Sequence, residues 1–226
     1  MPHERLRCIQ LLVAGVVLWS GGAAYPTEPA GAHRASVYQR TYHPQSFTTQ
    51  VYFDPSVPGG RVRSRILNGA GRWTKLGRQM VFVGHRPAKK FGSSCPPAGQ
   101  PQRGVVRWKG IDGPGGVLGR NLNCVYFDGP YKGRLAGFGQ RYDSEENWYT
   151  RTGRVPSNAI DLWSVASHEF GHATGRRGHY PRTSPLCASD LLARETMCPS
   201  IVAGQARQRT LGIHDKHTFK RVYGAR

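Results

Sequence analysis

Apolar positions recur at helical spacing in an early stretch of the chain. Intervals of three and four residues place such positions along one side of an α-helix, with the charged residues on the other sides. Gly69 and Gly71 weaken the predicted helix without erasing its pattern, and Gly77 supplies a stop. The apolar positions are Val62, Ile66, Ala70, Trp73 and Leu76.

A second helix is predicted over residues 160–173, which contain no proline and keep a helical period. Asn158 precedes this run and is the predicted N-cap, since its side chain can accept a hydrogen bond from the first turn. Leu162, Val165 and Phe170 provide apolar positions for packing. The pattern therefore predicts a partly buried helix in the second half of the chain.

Short runs rich in β-branched and aromatic residues predict strands, because each is bounded by Gly, Pro, Asn or Asp. Helices and strands together predict an α+β fold with a mixed β-sheet. The glycine-rich stretch Lys109–Gly119 lacks the Lys-Ser/Thr pair and the following helix of a phosphate-binding loop, so an ordinary loop is expected there. The predicted strands are Thr49–Phe53, Met80–Val83, Val105–Trp108 and Cys124–Phe127.

The first residues follow a different pattern. Arg5 and Arg7 precede an apolar run, Ile9–Trp19, and the small residues Gly22–Ala24 come next. This order predicts a secretory signal peptide over residues 1–24 and a secreted, extracellular protein. The apolar run is short for a bilayer-spanning helix, and an uncleaved membrane anchor is the alternative. After signal cleavage, no stable membrane insertion is expected.

Residues 25–45 are rich in Pro, Ala and small polar residues without a hydrophobic period, which predicts a flexible lead-in. The remainder, residues 46–226, has the length of one ordinary domain.

Removal of the signal would leave an even number of cysteines, as expected of an exported protein with two disulfides. Four cysteines allow three connectivities. The preferred pairing is Cys95 with Cys124 and Cys187 with Cys198, since each pair closes a modest loop.

Charge changes this picture only in part. The chain has 32 Lys and Arg against 13 Asp and Glu, a formal net charge of +19. Such a surface attracts phosphates, acidic glycans and anionic membranes at low salt. The basic residues are scattered rather than grouped into a nucleic-acid-binding motif, so no specific nucleic-acid partner is expected. Solubility or non-specific adhesion to an anionic envelope explains the charge.

The second helix carries the main chemical signal. His168 and His172 are four residues apart, so both rings lie on one face, a single turn from each other, and can reach one metal ion. Zinc accepts histidine nitrogen, and a catalytic site combines three protein ligands with one open position. Glu169 follows the first histidine and can reach a metal-bound water, which predicts a general base.

A third ligand is predicted just beyond the helix. Gly175 lies three residues after His172 and can adopt the positive φ that turns the chain back, after which His179 follows. Asp190 is the reserve candidate for this position. Two other interpretations stay open: a structural zinc site, and histidines that are simply polar residues of the helix.

At these residues the sequence resembles the metzincins, and most closely the secreted bacterial matrixin-like peptidases. His168–Gly175 is similar to the zinc helix of that family, and Glu195–Pro199 is similar to its Met-turn, with Met197 as the methionine. Leu211–Asp215 and the residues up to Gly224 resemble its closing helix, and Tyr142–Trp148 resembles the segment before the zinc helix. The likeness covers roughly the second half of the mature chain.

The resemblance implies a metzincin-like fold: a twisted mixed β-sheet, a zinc-binding active-site helix, a Met-turn and a C-terminal helix. It also implies one catalytic Zn²⁺ on His168, His172 and His179. A structural Ca²⁺ on Asp143 and Glu146 is a further expectation, for which ordinary ion pairing is the alternative. Three residues separate Gly175 from His179, one more than the family pattern has, and Gly178 can absorb the extra residue.

The predicted function is therefore a secreted, monomeric zinc endopeptidase that acts on protein or peptide substrates, with Glu169 as general base. One alternative is a secreted basic binding module for an anionic cell-envelope polymer, with a non-catalytic zinc site. Another is an amidase or a different zinc hydrolase built on the same helix, because the metal chemistry serves any acyl transfer to water.

Overall fold

The computed structural model describes residues 48–76, 81–85, 87–96, 102–182, 184–188 and 195–224. The predicted signal peptide, the lead-in and the reserve ligand Asp190 lie outside the described residues. The helices and strands are β1 (Thr48–Phe53), α1 (Arg61–Thr74), β2 (Val81–His85), β3 (Arg103–Trp108), β4 (Gly119–Val125), β5 (Leu135–Tyr142), β6 (Trp148–Tyr149), β7 (Ile160–Asp161), α2 (Leu162–Ala173), α3 (Pro185–Ala188) and α4 (Ile213–Tyr223).

Five strands form one mixed sheet in the order β2-β1-β3-β5-β4. The first four in that order are parallel to their neighbours, and β4 pairs antiparallel with β5 at the end of the sheet. The two short strands β6 and β7 pair with each other in parallel. The predicted α+β class with a mixed sheet is confirmed.

The predicted strands differ from the observed ones in the middle of the chain. The strand predicted at Cys124–Phe127 is instead Gly119–Val125, and it begins at the end of the glycine-rich stretch. Its partner Leu135–Tyr142 was not predicted, because Gly137 and Gly139 interrupt the β-rich pattern. A Cβ at Gly137 would collide with the carbonyl oxygen of Arg103 on β3, so the close approach of two backbones explains the glycine.

Helix α1 confirms the first predicted helix and packs against α2. Gly69 of α1 faces the backbone of α2, where an added Cβ would lie 2.6 Å from the Ala166 carbonyl carbon and the Ser167 nitrogen. The Trp73 indole donates a hydrogen bond of 2.8 Å to the Ser167 carbonyl. One glycine and one tryptophan therefore hold the two helices in close contact.

Helix α2 begins later than predicted, and its N-cap is Asp161 rather than Asn158. The reason is that Ile160 and Asp161 extend as β7 beside Trp148 and Tyr149, which delays the helix. The Asp161 carboxylate accepts from the backbone N–H of Ser164 at 2.9 Å. The Arg209 guanidinium donates to the same carboxylate at 2.7 Å.

Aromatic contacts fix α2 against the sheet. The Phe170 ring on α2 makes edge contacts with Phe82 of β2 and Phe138 of β5, with ring centroids 5.0 and 5.6 Å apart. All three side chains are buried. Phe170 is two residues from His168 and from His172, so its packing sets the rotation of the helix and turns the histidines away from the sheet.

Two disulfides join Cys95 to Cys124 and Cys187 to Cys198. This is the predicted pairing. The second bridge ties the residue after Met197 to α3, and so connects the two segments that follow α2. Within the described ranges, no helix combines the length and apolar character that crossing a bilayer requires.

Candidate metal centre

Three histidines converge beside α2. The Nε2 atoms of His168 and His172 lie 3.2 Å apart, and the His179 Nε2 lies 2.9 Å from the first and 3.1 Å from the second. Tetrahedral bonds of 2.0–2.1 Å to one zinc ion would separate two donor nitrogens by about 3.3 Å. The nitrogen triangle is thus of a size that one zinc ion fits.

The turn after α2 brings the third histidine back to the first two. Gly175 has φ 92° and Gly178 has φ 72°, a backbone region in which only glycine is comfortable. These two glycines accommodate the extra residue between Gly175 and His179. Tyr180, next in the chain, donates its backbone N–H to the Met197 carbonyl at 3.1 Å and fixes the far side of the turn.

Backbone carbonyls set the tautomers of the two helical histidines. The Nδ1 of His168 lies 2.7 Å from the carbonyl oxygen of Thr196, and the Nδ1 of His172 lies 3.2 Å from that of Arg176. A carbonyl oxygen only accepts, so each Nδ1 carries the hydrogen and each neutral ring presents an Nε2 lone pair to the other. Two lone pairs facing each other at this distance repel, and a cation between them removes the repulsion.

Burial keeps these rings neutral. Desolvation holds the pKa of His168 well below its usual value and lowers the pKa of His172 to about 3. Burial and the nearby Arg176 charge lower the pKa of His179 to about 4. All three rings are therefore unprotonated at neutral pH, which is the form that binds a metal ion. The donor set fits zinc in atom type, spacing and protonation.

Glu169 is the carboxylate on the same helix and is 2 % exposed. Burial raises its pKa to about 8. Gly119, at the start of β4, lies against it, since an added Cβ there would be 3.1 Å from Glu169 Oε1. The edge strand of the sheet therefore runs directly beside this carboxylate.

Met197 lies buried against α2, close to the histidines. A Cβ at Gly171 would collide with the Met197 sulfur and would lie 2.8 Å from Trp73 Cζ2. Packing therefore explains why residue 171 is a glycine: it leaves room for the methionine against the helix between His168 and His172. Its neighbour Thr196 supplies the carbonyl that orients His168.

The two acidic residues considered for calcium lie at a loop. Asp143 accepts hydrogen bonds from the backbone N–H groups of Ile111 at 2.8 Å and Glu145 at 2.9 Å. Glu146 accepts one from Gly115 at 2.7 Å. These carboxylates hold the glycine-rich loop in place, and calcium binding there stays a prediction.

Several residues around the site were missed by the sequence analysis. Arg176 and Asp215 form a buried ion pair close to the supports of the three histidines, and Gly119 adjoins Glu169. An arginine among 32 basic residues gives no sign of burial. A weak signal for Asp215 existed in its position near the start of the closing helix.

Comparison with known proteins gives a partial match. No protein-family profile matches the chain. Over 117 residues, half of this chain, the sequence is 34% identical to Metalloendoproteinase 1 of Glycine max. The chain spans only about a third of that relative, since the match covers 31% of its length. Among solved structures, "Structure of Myroilysin" aligns with 98% of this chain at 14% identity and a TM-score of 0.41.

The class that the fold and site define is an α+β protein with three histidines able to hold one metal ion beside a buried glutamate. At the level of the family, the chain is similar to the matrixin-like metzincins, and the match to the soybean metalloendoproteinase supports that likeness.

Proposed function

We propose that this chain is a zinc-dependent endopeptidase that hydrolyses peptide bonds of protein or peptide substrates. The observation that carries the proposal is the triangle of three Nε2 atoms 2.9–3.2 Å apart next to the buried carboxylate of Glu169. His168, His172 and His179 would hold the ion. When bound, zinc polarises a carbonyl and lowers the pKa of water.

Glu169 is the general base in this proposal. Its carboxylate removes a proton from the attacking water and later returns it to the leaving amine, so no covalent bond forms between enzyme and substrate. In the metal-free chain, burial favours the protonated acid. A cation held by the adjacent ligands favours the carboxylate form, which a base requires.

The substrate is proposed to bind along β4. This strand ends the sheet, and its first residue, Gly119, adjoins Glu169. An extended peptide can add to such an edge through main-chain hydrogen bonds, which hold a scissile bond in register whatever its side chains. Residues 199–201, after Met197, are proposed to border the pocket for the side chain beyond the cleaved bond.

We also propose that the protein is secreted as a monomer. The predicted signal over residues 1–24 would direct export, residues 25–45 would precede the catalytic domain, and residues 46–226 would form it. The two disulfides support this proposal, because disulfides persist in oxidising compartments.

The mechanism is tested with Glu169→Gln, which keeps the size and polarity of the side chain but cannot accept the proton. Hydrolysis of a casein substrate is expected to fall at least about 100-fold, since general-base catalysis contributes that much or more. Zinc content, measured by atomic absorption, is expected to stay at one ion per chain. Glu145→Gln, at an exposed carboxylate before β6, is the matched control and should retain activity.

Two results would overturn the proposal. Wild-type turnover in Glu169→Gln would remove the glutamate from the mechanism. Purified wild-type protein that binds zinc but cleaves neither casein nor a set of unstructured peptides would remove the peptidase function itself.

A further inference from the structure

Behind the three ligands lies a buried ion pair. The Arg176 Nη1 atom lies 2.6 Å from Asp215 Oδ1, and the two side chains are 1% and 0% exposed. Arg176 belongs to the turn between Gly175 and His179, and Asp215 lies in the first turn of α4. The pair thus connects the segment that carries the third ligand to the C-terminal helix.

Arg176 is linked to the zinc helix through its backbone. Its carbonyl oxygen is the acceptor for the Nδ1 of His172, at 3.2 Å. Its side chain therefore contacts Asp215, and its carbonyl orients the His172 ring.

Asp215 is linked to a second ligand through the Met-turn. Its Oδ2 accepts from the backbone N–H of Thr196 at 2.6 Å, and the Thr196 carbonyl accepts from the Nδ1 of His168 at 2.7 Å. The N–H of Met197 approaches the same oxygen at 3.4 Å. The carboxylate therefore holds the peptide that sets the tautomer and direction of the His168 ring.

The third ligand is held through its neighbour. The Tyr180 hydroxyl donates to Asp215 Oδ1 at 3.1 Å, and the Arg176 guanidinium lies over the Tyr180 ring, 4.2 Å from its centroid. Tyr180 follows His179 directly. One buried arginine and one buried aspartate thus contact the supports of all three histidines.

We propose that Arg176 is a positioning residue of the metal centre, which acts through Asp215 and its own carbonyl to orient His168, His172 and His179. This inference rests on the proposed zinc site. A buried ion pair is weak evidence for stability on its own, because desolvation offsets much of the attraction. The geometry of the pair explains why residue 176 is an arginine. A planar guanidinium can bind the carboxylate and stack on Tyr180 at the same time, which a lysine cannot do.

The test compares two arginine–aspartate pairs, each with a buried aspartate. Arg176→Met removes the proposed positioning residue. Arg209→Met is the matched control, because Arg209 pairs with the buried Asp161 at the far end of α2, 2.7 Å away, and its other described hydrogen bonds go to the carbonyls of residues 151–153. Zinc affinity is measured by competition with a chelator, and the ligand geometry by the visible absorption of the Co²⁺-substituted protein.

Arg176→Met is expected to weaken zinc binding about 10- to 100-fold, the usual effect of removing a residue that orients ligands, and to change the Co²⁺ spectrum. Arg176→Lys should fall between Arg176→Met and the wild type. Arg209→Met should unfold at a lower temperature, yet keep the zinc affinity and the Co²⁺ spectrum of the wild type. If Arg176 had a merely structural role, Arg176→Met and Arg209→Met would not differ in zinc affinity or in the Co²⁺ spectrum.

If Arg176→Met does not fold, the double variant Arg176→Met/Asp215→Asn avoids an unpaired buried charge and is measured in the same way, beside Arg176→Lys. Wild-type affinity and spectrum in any folded variant that lacks Arg176, or an equal loss in Arg209→Met, would overturn the inference. So would failure of all Arg176 variants to fold. Wild-type protein that binds zinc without peptidase activity would refute the proposed function and leave this comparison valid.

Discussion

Two buried carboxylates show how strongly surroundings control protonation. Glu169 and Asp143 are both almost inaccessible to water. Burial raises the pKa of Glu169 to about 8. Burial also acts to raise the pKa of Asp143, but backbone N–H groups, with the positive charge of Arg141, hold it below the usual value. The loop aspartate is therefore ionised in the fold at neutral pH, where its hydrogen bonds stabilise the loop.

The pH dependence of the free energy of unfolding is expected to show how much the Asp143 carboxylate stabilises the fold. Its pKa is lower in the folded than in the unfolded chain, so its stabilisation is present above the unfolded pKa and is lost as the pH falls through the folded pKa. Asp143→Asn should lower the free energy of unfolding by about 2 kcal/mol at pH 7. The difference from wild type should shrink below about pH 4, as followed by urea unfolding between pH 7 and 3. A difference independent of pH would contradict this assignment.

At the scale of elements, the α1–α2 contact determines where α2 lies. Gly69 allows the α1 backbone to meet α2 at Ala166 and Ser167, next to His168. Gly71, two residues on, has no atom within 4 Å of an added Cβ. The two glycines look alike in the sequence, but only one has a packing role.

The pair provides a matched test. Gly69→Ala is expected to destabilise the protein by about 1–3 kcal/mol, because the new methyl group would overlap backbone that cannot rotate away. Gly71→Ala is expected to stabilise it by about 0.5–1 kcal/mol, because alanine favours a helix over glycine. Thermal unfolding by circular dichroism distinguishes them. Equal effects of the same sign would show that the close approach of the helices is not as described.

Local patterns predicted those elements that local residues control. The stripe from Val62 to Leu76 and the four-residue spacing of His168 and His172 each depend on one helix, and both appear in the fold. Strand β5 was missed because Gly137 is required by the close backbone of Arg103 and Gly139 lies against the Ser94 side chain, contacts that the local pattern does not contain. The N-cap was misplaced for a similar reason: the pairing of Ile160 with Trp148 delays the helix.

The position of His179 could be predicted only in part from local residues. The glycines at 175 and 178 predict a reversal of the chain, but not its direction, and the resemblance to a family suggested the rest. The structure brings the His179 ring to within 3.1 Å of both helical rings. Arg176 and Asp215, 39 residues apart in the chain, could not be paired from the sequence, because nothing in a strongly basic chain marks one arginine as buried.

At the scale of the whole molecule, metal binding and folding should be coupled. The histidines come from α2 and from the turn after it, and the Met-turn and α4 support them, so the ion would join segments that are distant in the chain. A ligand that binds only the folded state stabilises it by about 2.7 kcal/mol at a free concentration 100 times its dissociation constant.

Removal of the metal is therefore expected to lower the unfolding temperature by about 5–10 °C and to abolish peptidase activity. Dialysis against a chelator, followed by calorimetry, measures the loss. Added Zn²⁺ should restore both properties, whereas Mg²⁺ should restore neither, since nitrogen donors suit zinc and magnesium prefers oxygen. Activity that survives complete removal of zinc would contradict the proposed role of the metal.

The nitrogen triangle has a consequence for how the ion leaves. Two of its rings belong to α2, and the third lies beyond the reversal at Gly175. In the proposed zinc site, release of the ion would therefore require either three bonds to break together or the turn beyond Gly175 to open.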